Sequence, residues 1–448
     1  MRKILILGAG RSAASLITYL VEKAGEQDWR VTVADRSPEQ ARKLVGAAGD
    51  AADVVALDAS DAGARGALVA SHDLVISMLP AAMHMDVVHD CLQHRKHVLT
   101  PSYVPKEMWA LDAQAKEAGL VFLNELGLDP GIDHLSAMRI LDRLRAEGAS
   151  LEAFESYTGG LVAPESDDNP WGYKFSWNPR NVVLAGQGGA ACFIRDGRYR
   201  YIPYHRLFTR VQHIEVPGYG AFDGYANRDS LKYRKVYGLE DIPTLIRGTL
   251  RRQGFCAAWN VFVQLGCTDD SYAMEVPADM TWSSFFDAFL PPAPDGDLRA
   301  SLSGYLGLDP TGQVMDQLDW LGVFGNEPVG LTAGSPAQLL QHLLEQKWAL
   351  GAGDKDMIVM QHVFRYARGA ERRRLSSSLV VEGRDRTDTA MARTVGLPLA
   401  IAARLVLNGQ VAERGVLLPL SSGLYDPILD ELEVLGIAFR EQEEVLPD

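Results

Sequence analysis

Residues 2–13 constrain this chain more than any others. Arg2 to Leu7 is a short apolar run with no turn residue in it, and it ends in Gly8-Ala9-Gly10-Arg11-Ser12-Ala13. From Ala14 onward Leu16, Ile17, Leu20 and Val21 recur at helical spacing, so the turn joins a strand to a helix. Gly8 lets the chain reverse, Gly10 lets the backbone approach a pyrophosphate, and Ala13 is small where the helix must pack on the strand. The helix amino terminus then offers unpaired N–H groups and a positive dipole end to phosphate. A second strand, Arg30 to Ala34, ends at Asp35, about 20 residues on, where a dinucleotide fold places the acid that holds the adenine ribose. The expected fold is therefore α/β, opening with a Rossmann dinucleotide-binding domain. Its candidate cofactor residues are Gly8, Gly10, Arg11, Ser12, Ala13, Asp35 and Arg36.

Asp35 favours NAD, since a carboxylate accepts from ribose hydroxyls and repels a 2′-phosphate. Arg36 pulls the other way: its guanidinium either lies on the adenine, pairs with a phosphate, or is solvated. The cofactor at this stage is NAD or NADP.

A chain of 448 residues is too long for one ordinary core, so two or three domains are expected. Its net charge of −14 argues against nucleic acid or an anionic membrane as a main partner, without excluding small anionic substrates bound by a few arginines. The four cysteines, Cys91, Cys192, Cys256 and Cys267, form no paired motif, which fits a reduced cytoplasm. The first residues enter a core strand directly, so no signal peptide is expected, and no apolar run reads as long enough to span a bilayer.

Strands alternate with helices as far as Val121-Phe122-Leu123-Asn124. In an open parallel sheet, ligands lie beyond the carboxyl ends of the strands. Asp58, after Val54 to Leu57, is thus either a contact for the adenine end or a surface acid. Ser77, Leu79 and Pro80, after Leu74 to Ile76, should pass near the cofactor. Ser102 and Tyr103, after Val98-Leu99, either point to substrate and nicotinamide or cap their loop. His84, His89, Cys91, His94 and His97 are spaced so that a helix scatters them, which rejects a metal site and leaves solvated helix residues. Glu125 to His134, rich in Gly, Pro and Asp, is expected at a domain junction. Its carboxylates either orient an amine and act as acid and base, or shape a turn at Asp129 and cap the next helix at Asp133.

From Ala149 the texture changes to short strands separated by turns, an antiparallel sheet attached to the nucleotide domain. Its strands are read at Phe154 to Tyr157, Val182 to Leu184, Ala190 to Ile194, Gly197 to Ile202, His213 to Val216, Met357 to Tyr366 and Ser376 to Val381. Lys174 is the one cation in the aromatic segment Trp171 to Trp177 and a candidate substrate contact. Arg228 and Arg247 are candidate carboxylate clamps, because a guanidinium fork matches a carboxylate in two parallel hydrogen bonds. Arg251 and Arg252 read as solvated helix residues, since Leu245 to Leu265 has a helical pattern. Residues 291–297 read as a loop between helices. Asp388 to Val406 reads as a long apolar helix interrupted only at Gly396-Leu397-Pro398, returning to pack on the nucleotide domain.

Several motifs, taken in order, resemble the saccharopine reductases, the L-glutamate-forming saccharopine dehydrogenases. They are Glu125 to His134, Gly159-Gly160-Leu161 with Pro164-Glu165, Gly172 to Trp177, Asn227-Arg228-Asp229-Ser230, Arg247-Gly248-Thr249-Leu250-Arg251, Asp354 to Met357 and Val395 to Pro398. The resemblance covers nearly the whole chain. It implies a Rossmann domain (1–125 and 388–448), a mixed-sheet α+β substrate and dimerisation domain (126–236 and 351–387) and a mostly helical insertion (237–350). It further implies an oxidoreductase interconverting saccharopine and NAD(P)+ with glutamate, aminoadipate semialdehyde and NAD(P)H, working as a homodimer. Ser102, Asp129, Arg228 and Arg247 look like its substrate-binding residues, with Asp129 holding the amine or assisting proton transfer. Fungal relatives carry a cysteine where Thr158 stands and tend to lack an acid at Asp35, which leaves no thiol role at 158 and the usual NADP preference open. The alternatives are a reductase of a related imine, such as carboxynorspermidine, and a non-catalytic NAD(P)-binding regulator.

Overall fold

The computed structural model describes residues 1–46, 51–187, 189–292 and 296–447. The chain divides into two compact units, Met1–Ser150 with Leu379–Arg440, and Leu151–Ser378 with Glu441–Asp448.

The first unit is built on six strands in chain order, β1 (Arg2–Leu7), β2 (Trp29–Asp35), β3 (Ala52–Ala56), β4 (Leu74–Ser77), β5 (His97–Leu99) and β6 (Val121–Leu123), joined by the late strand Gly415–Leu417. Across the sheet the order is Gly415–Leu417, β6, β5, β4, β1, β2, β3, and every neighbouring pair is parallel. The order reverses at β1, the position where such sheets open a crevice for a dinucleotide. Ile4 to Leu7, Val31, Val33 and Leu74 to Ile76 are fully buried, as expected where helices cover both faces of a parallel sheet.

The returning helix Ala390–Leu407 packs along Ala14–Gln27. The Ser15 hydroxyl donates to Asp388 (3.0 Å), and Tyr19 and Arg404 both donate to Glu431 (2.5 Å each). The expected break at Pro398 is absent. The helix runs continuously because its neighbours' packing outweighs the roughly 3 kcal/mol that an internal proline costs. Its 18 residues, mean hydropathy 1.5, do reach membrane-spanning length, unlike the sequence-based expectation, but 83% of them are buried in the fold.

The unit boundaries differ from the sequence reading for a packing reason. Helix Ile132–Ala146 stays with the first unit, where Tyr425 donates to Asp142 (2.9 Å) and Arg139 pairs with Asp430 (2.7 Å) on helix Ser422–Val434. The last residues join the second unit instead: Leu446 N–H donates to Arg372 O (2.8 Å), and Tyr366 bonds Glu443.

The second unit holds a sheet in the order Gln212–Val216, Gly220–Ala226, Thr244–Arg252, Ser150–Val162, Asp356–Arg368, Glu371–Glu382, Phe439–Val445, with Ala191–Arg195 and Arg198–Ile202 branching from Thr244–Arg252. It is mixed, not antiparallel throughout, because Thr244–Arg252 runs parallel to Ser150–Val162. That central strand replaces the first third of the helix expected over 245–265, and the helix begins at Phe255. Residues 237–350 therefore contribute to the sheet as well as carrying helices. The strand expected at Val182 to Leu184 is a short helix, Pro179–Val183, because Asn178 caps it (3.0 Å to Arg180 N) and proline starts it. Of the 291–297 loop, residues 293–295 lie outside the described residues.

Candidate active site

In the first unit the strand register lines up four turns. Leu7 pairs with Ser77, Ile76 with Leu99, and Leu99 with Leu123. The turns that leave β1, β4, β5 and β6 are therefore neighbours along one sheet edge. They carry Gly8 to Ala13, Ser77 to Pro80, Thr100 to Tyr103, and Asn124 to Asp129.

The glycine turn has the shape a pyrophosphate requires. Gly8 adopts φ +102°, and a Cβ there would lie 3.0 Å from Met78 O. Among the described residues nothing comes within 4 Å of where a Cβ on Gly10 would project. That open space borders a helical run whose first turn holds no acid and no side-chain cap, which suits a phosphate at its positive dipole end. Arg11 is exposed, Ser12 half-buried, and Ala13 fully buried against the sheet. Asp35 accepts from Ala9 N–H and Ser37 N–H, each at 2.7 Å, which fixes its carboxylate against the turn. Arg36 and Asp58 are exposed. Asp58 is held below the usual carboxylate range by the Ser60 backbone and hydroxyl (3.0 and 2.7 Å), with a smaller contribution from Arg36. Leu79 is half-buried and Pro80 exposed. These residues fit NAD(P).

Next along the edge, Tyr103 donates to Asp129 Oδ1 (3.3 Å), and both are half-buried. Gly131, two residues beyond, adopts φ +147°, and a Cβ there would lie 2.0 Å from Gly127 O, so only glycine lets the 127–131 turn close. Asp133 accepts from Gly131 N–H (2.6 Å), reaching back to the helix start from inside its first turn.

Three residues gain roles that sequence reasoning missed. His84, expected to be solvated, is 3% exposed. Its Nδ1 lies 2.8 Å from Ser77 Oγ, and its Nε2 lies 2.7 Å from Ser102 Oγ and 3.2 Å from Thr100 Oγ1. Burial pushes its pKa down to about 4, so the imidazole is neutral at neutral pH. Glu125, buried with φ +53°, holds both ends of the next turn. Its N–H donates to Ser102 O and its Oε1 accepts from Val104 N–H, each at 3.1 Å. Its Oε2 meets Nε2 of the fully buried His134 at 2.9 Å. Only the expected place of Glu125 to His134 at a domain junction hinted at this pairing. His97 also departs from the solvated expectation: half-buried, its Nδ1 accepts from Val121 N–H (3.0 Å).

In the second unit, Arg228 and Arg247 come to the same end of adjacent strands, where Ala226 pairs with Gly248 and Asn227 N–H donates to Arg247 O (2.8 Å). Arg247 is 6% exposed, its guanidinium 4.1 Å from the Tyr233 ring centroid and its backbone N–H on Ser230 Oγ (2.9 Å). Arg228 is exposed, in a left-handed conformation (φ +45°) fixed by Cys192 N–H donating to its carbonyl (2.8 Å). Lys174 is differently occupied. Buried, it pairs with Asp168 (2.8 Å) and Asp354 (2.7 Å); burial alone would lower its pKa, but the two carboxylates outweigh that and raise it. Arg251 is no solvated helix residue. It is buried on the central strand over Tyr173 (5.3 Å) and Phe255 (5.5 Å). Arg252 lies over Phe222 (5.4 Å), 3.9 Å from Asp167.

A cavity of about 820 Å³ in this unit is lined by Tyr157, Gln361, Arg365, Arg374 and Ser376. It is on the other face of the sheet from Arg247, because Arg247 pairs with Ser156 while Tyr157 alternates to the opposite side.

Fold and turns together define an NAD(P)-dependent oxidoreductase. Comparison with known proteins agrees: the models for the saccharopine dehydrogenase NADP binding domain and the saccharopine dehydrogenase C-terminal domain match residues 4–123 and 127–437. The saccharopine dehydrogenase [NADP(+), L-glutamate-forming] of Pyricularia oryzae is 36% identical, covering 98% of this chain and 99% of its own length. The apo saccharopine dehydrogenase (L-Glu forming) from Saccharomyces cerevisiae superposes with a TM-score of 0.87 at 32% identity, over 99% of this chain and 100% of that one. The mitochondrial alpha-aminoadipic semialdehyde synthase of Bos taurus is 33% identical over 99% of this chain, which corresponds to 48% of that protein. The chain belongs to the saccharopine dehydrogenase family.

Proposed function

We propose that this protein interconverts saccharopine, NAD(P)+ and water with L-glutamate, 2-aminoadipate 6-semialdehyde and NAD(P)H. The observation that carries this reading is the register that brings the glycine turn, Ser77, Ser102, Tyr103 and Asp129 to neighbouring turns on one sheet edge. The bound nicotinamide supplies the hydride acceptor for the carbon beside the secondary amine. Asp129, tied to Tyr103, takes the charge or the proton of that amine, and water then opens the imine. Ser102 holds the substrate backbone, and Arg228 and Arg247 take its carboxylates by guanidinium pairing. Lys174 is left out of this set, since two carboxylates already occupy it.

Of the two cofactors, Asp35 supports NAD by its fixed carboxylate. The relatives named above for NADP(+) argue for testing both. For assembly, the cavity face beside Tyr157, lined by Arg365, Arg374, Glu155 and Glu215, supports a homodimer, since charges of both signs make a face self-complementary. The unpaired thiols support work in the reduced cytoplasm.

The test is an absorbance assay of nicotinamide reduction with saccharopine and each oxidised cofactor. Saccharopine-dependent reduction supports the reading. Activity with polyamine imines alone, or cofactor binding without turnover, overturns it. Light scattering on the same sample checks the dimer.

A further inference from the structure

Ser102 lies in the turn after β5, yet nothing in that turn sets the direction of its hydroxyl. His84 does so from another element. It is the first residue of helix His84–His94, seven positions beyond Ser77 and buried between the β4 and β5 turns. Its ring faces three hydroxyls, Ser77, Thr100 and Ser102, with no charged group contributing to its lowered basicity. A neutral imidazole donates from one nitrogen and accepts at the other, so the three hydroxyls and the ring form one directed chain.

The sense of that chain follows from the atoms at its ends. Ser77 is fully buried with Nδ1 at 2.8 Å, a shorter contact than the 3.2 Å from Thr100 Oγ1 to Nε2, which favours the Ser77 O–H as the donor to Nδ1. The proton then belongs on Nε2, which donates to Ser102 Oγ at 2.7 Å. Thr100 Oγ1 is the secondary neighbour, itself accepting from Ser102 N–H at 3.3 Å. With its lone pair engaged by His84, the half-buried Ser102 hydroxyl turns its own hydrogen outward.

We propose that His84 is a positioning residue that fixes Ser102 as a hydrogen-bond donor, making the β5 turn a receptor for an anionic oxygen, a substrate carboxylate. This rests on the saccharopine reading above, but part of it is tested without any substrate. In protein labelled with ¹⁵N-histidine, the His84 ring, assigned by its loss in His84→Gln, should show the neutral Nε2–H tautomer throughout the neutral range. An Nδ1–H tautomer or a charged ring would overturn the proposal whatever the enzyme's substrate.

The kinetic arm uses wild-type enzyme that turns over saccharopine. His84→Ala should raise the saccharopine KM about tenfold, the scale of one hydrogen bond to a charged group, with kcat and cofactor KM nearly unchanged. Ser102→Ala should do the same, and the double variant should be no worse than either single one, because both remove one interaction. His84→Gln, whose amide N–H reaches toward the Nε2 position, should recover most of the loss. An unchanged KM in His84→Ala, or additive losses in the double variant, would overturn it. Absence of wild-type turnover would instead count against the saccharopine reading and leave the tautomer result to decide the positioning claim.

Discussion

The Tyr103 hydroxyl and Asp129 Oδ1 are 3.3 Å apart, longer than the usual O–H···O bond, joining turns that leave neighbouring strands. Catalytic bonds often tighten only around substrate. If Asp129 takes the amine's charge or proton, Asp129→Asn should lower kcat about 10²- to 10⁴-fold and remove the acidic limb of the pH–rate profile. Tyr103→Phe, which only loosens that carboxylate, should cost about tenfold. An Asp129→Asn enzyme with unaltered turnover and pH profile would remove this residue from the chemistry.

Glu125 is a structural partner of the same turns. Its carboxylate satisfies the half-buried Val104 N–H and the fully buried His134. Glu125→Ala should therefore destabilise by about 3 kcal/mol, because buried donors lose their acceptor. Glu125→Gln keeps an acceptor of similar shape and should lose less. Thermal unfolding of both variants checks this; an unchanged Tm for Glu125→Ala would refute the bridging role.

How much of this was legible in the sequence divides along physical lines. The glycine turn, β2 and Asp35 could be read because the phosphate geometry demands fixed spacing within one short segment. Thr244–Arg252 was not read, because a central strand covered on both faces has no alternation, and its buried arginines imitate a helix's solvated face. His84 was missed because its partners, Ser77 and Ser102, reach it only through strand register. Lys174 looked like a substrate contact because its two carboxylates, Asp168 and Asp354, are separated by most of the second unit's sequence.

His84 also ties stability to acidity. Its pKa falls from 6.5 to about 4 on folding, so between those values the unfolded chain binds the extra proton. Stability from this group is therefore complete above pH 6.5 and lost as pH drops toward 4, by about 3 kcal/mol in all. Burial lowers His72 and His97 in the same direction, so the contribution of His84 is the difference between wild type and His84→Gln. Urea unfolding at neutral pH and near pH 4 should show a steeper acid loss in the wild type. Equal slopes would show that His84 is not buried as a neutral base.

The proposed NAD preference rests on Asp35. Its carboxylate is fixed by Ala9 and Ser37 beside the exposed Arg36. Asp35→Ala removes the repulsion toward a 2′-phosphate and leaves Arg36 to attract it, so NADP affinity should rise about tenfold or more while NAD affinity falls. Calorimetric titration of both cofactors decides it. Parallel changes for the two would show that Asp35 supports the turn without selecting between them.

Arg247, proposed above to bind a substrate carboxylate, and Lys174, held by two acids, can be tested against each other. Both are buried, at 6% exposure each. The Arg247 guanidinium lies 4.1 Å from the Tyr233 ring centroid, and the Lys174 ammonium is held by two acids. Arg247→Lys keeps the charge and loses the fork, so saccharopine KM should rise about 10- to 100-fold with cofactor KM and Tm little changed. Lys174→Met should do the reverse, lowering Tm because Asp168 and Asp354 are left facing each other, with KM nearly unchanged. A KM that moves with Lys174 and not with Arg247 would exchange their roles.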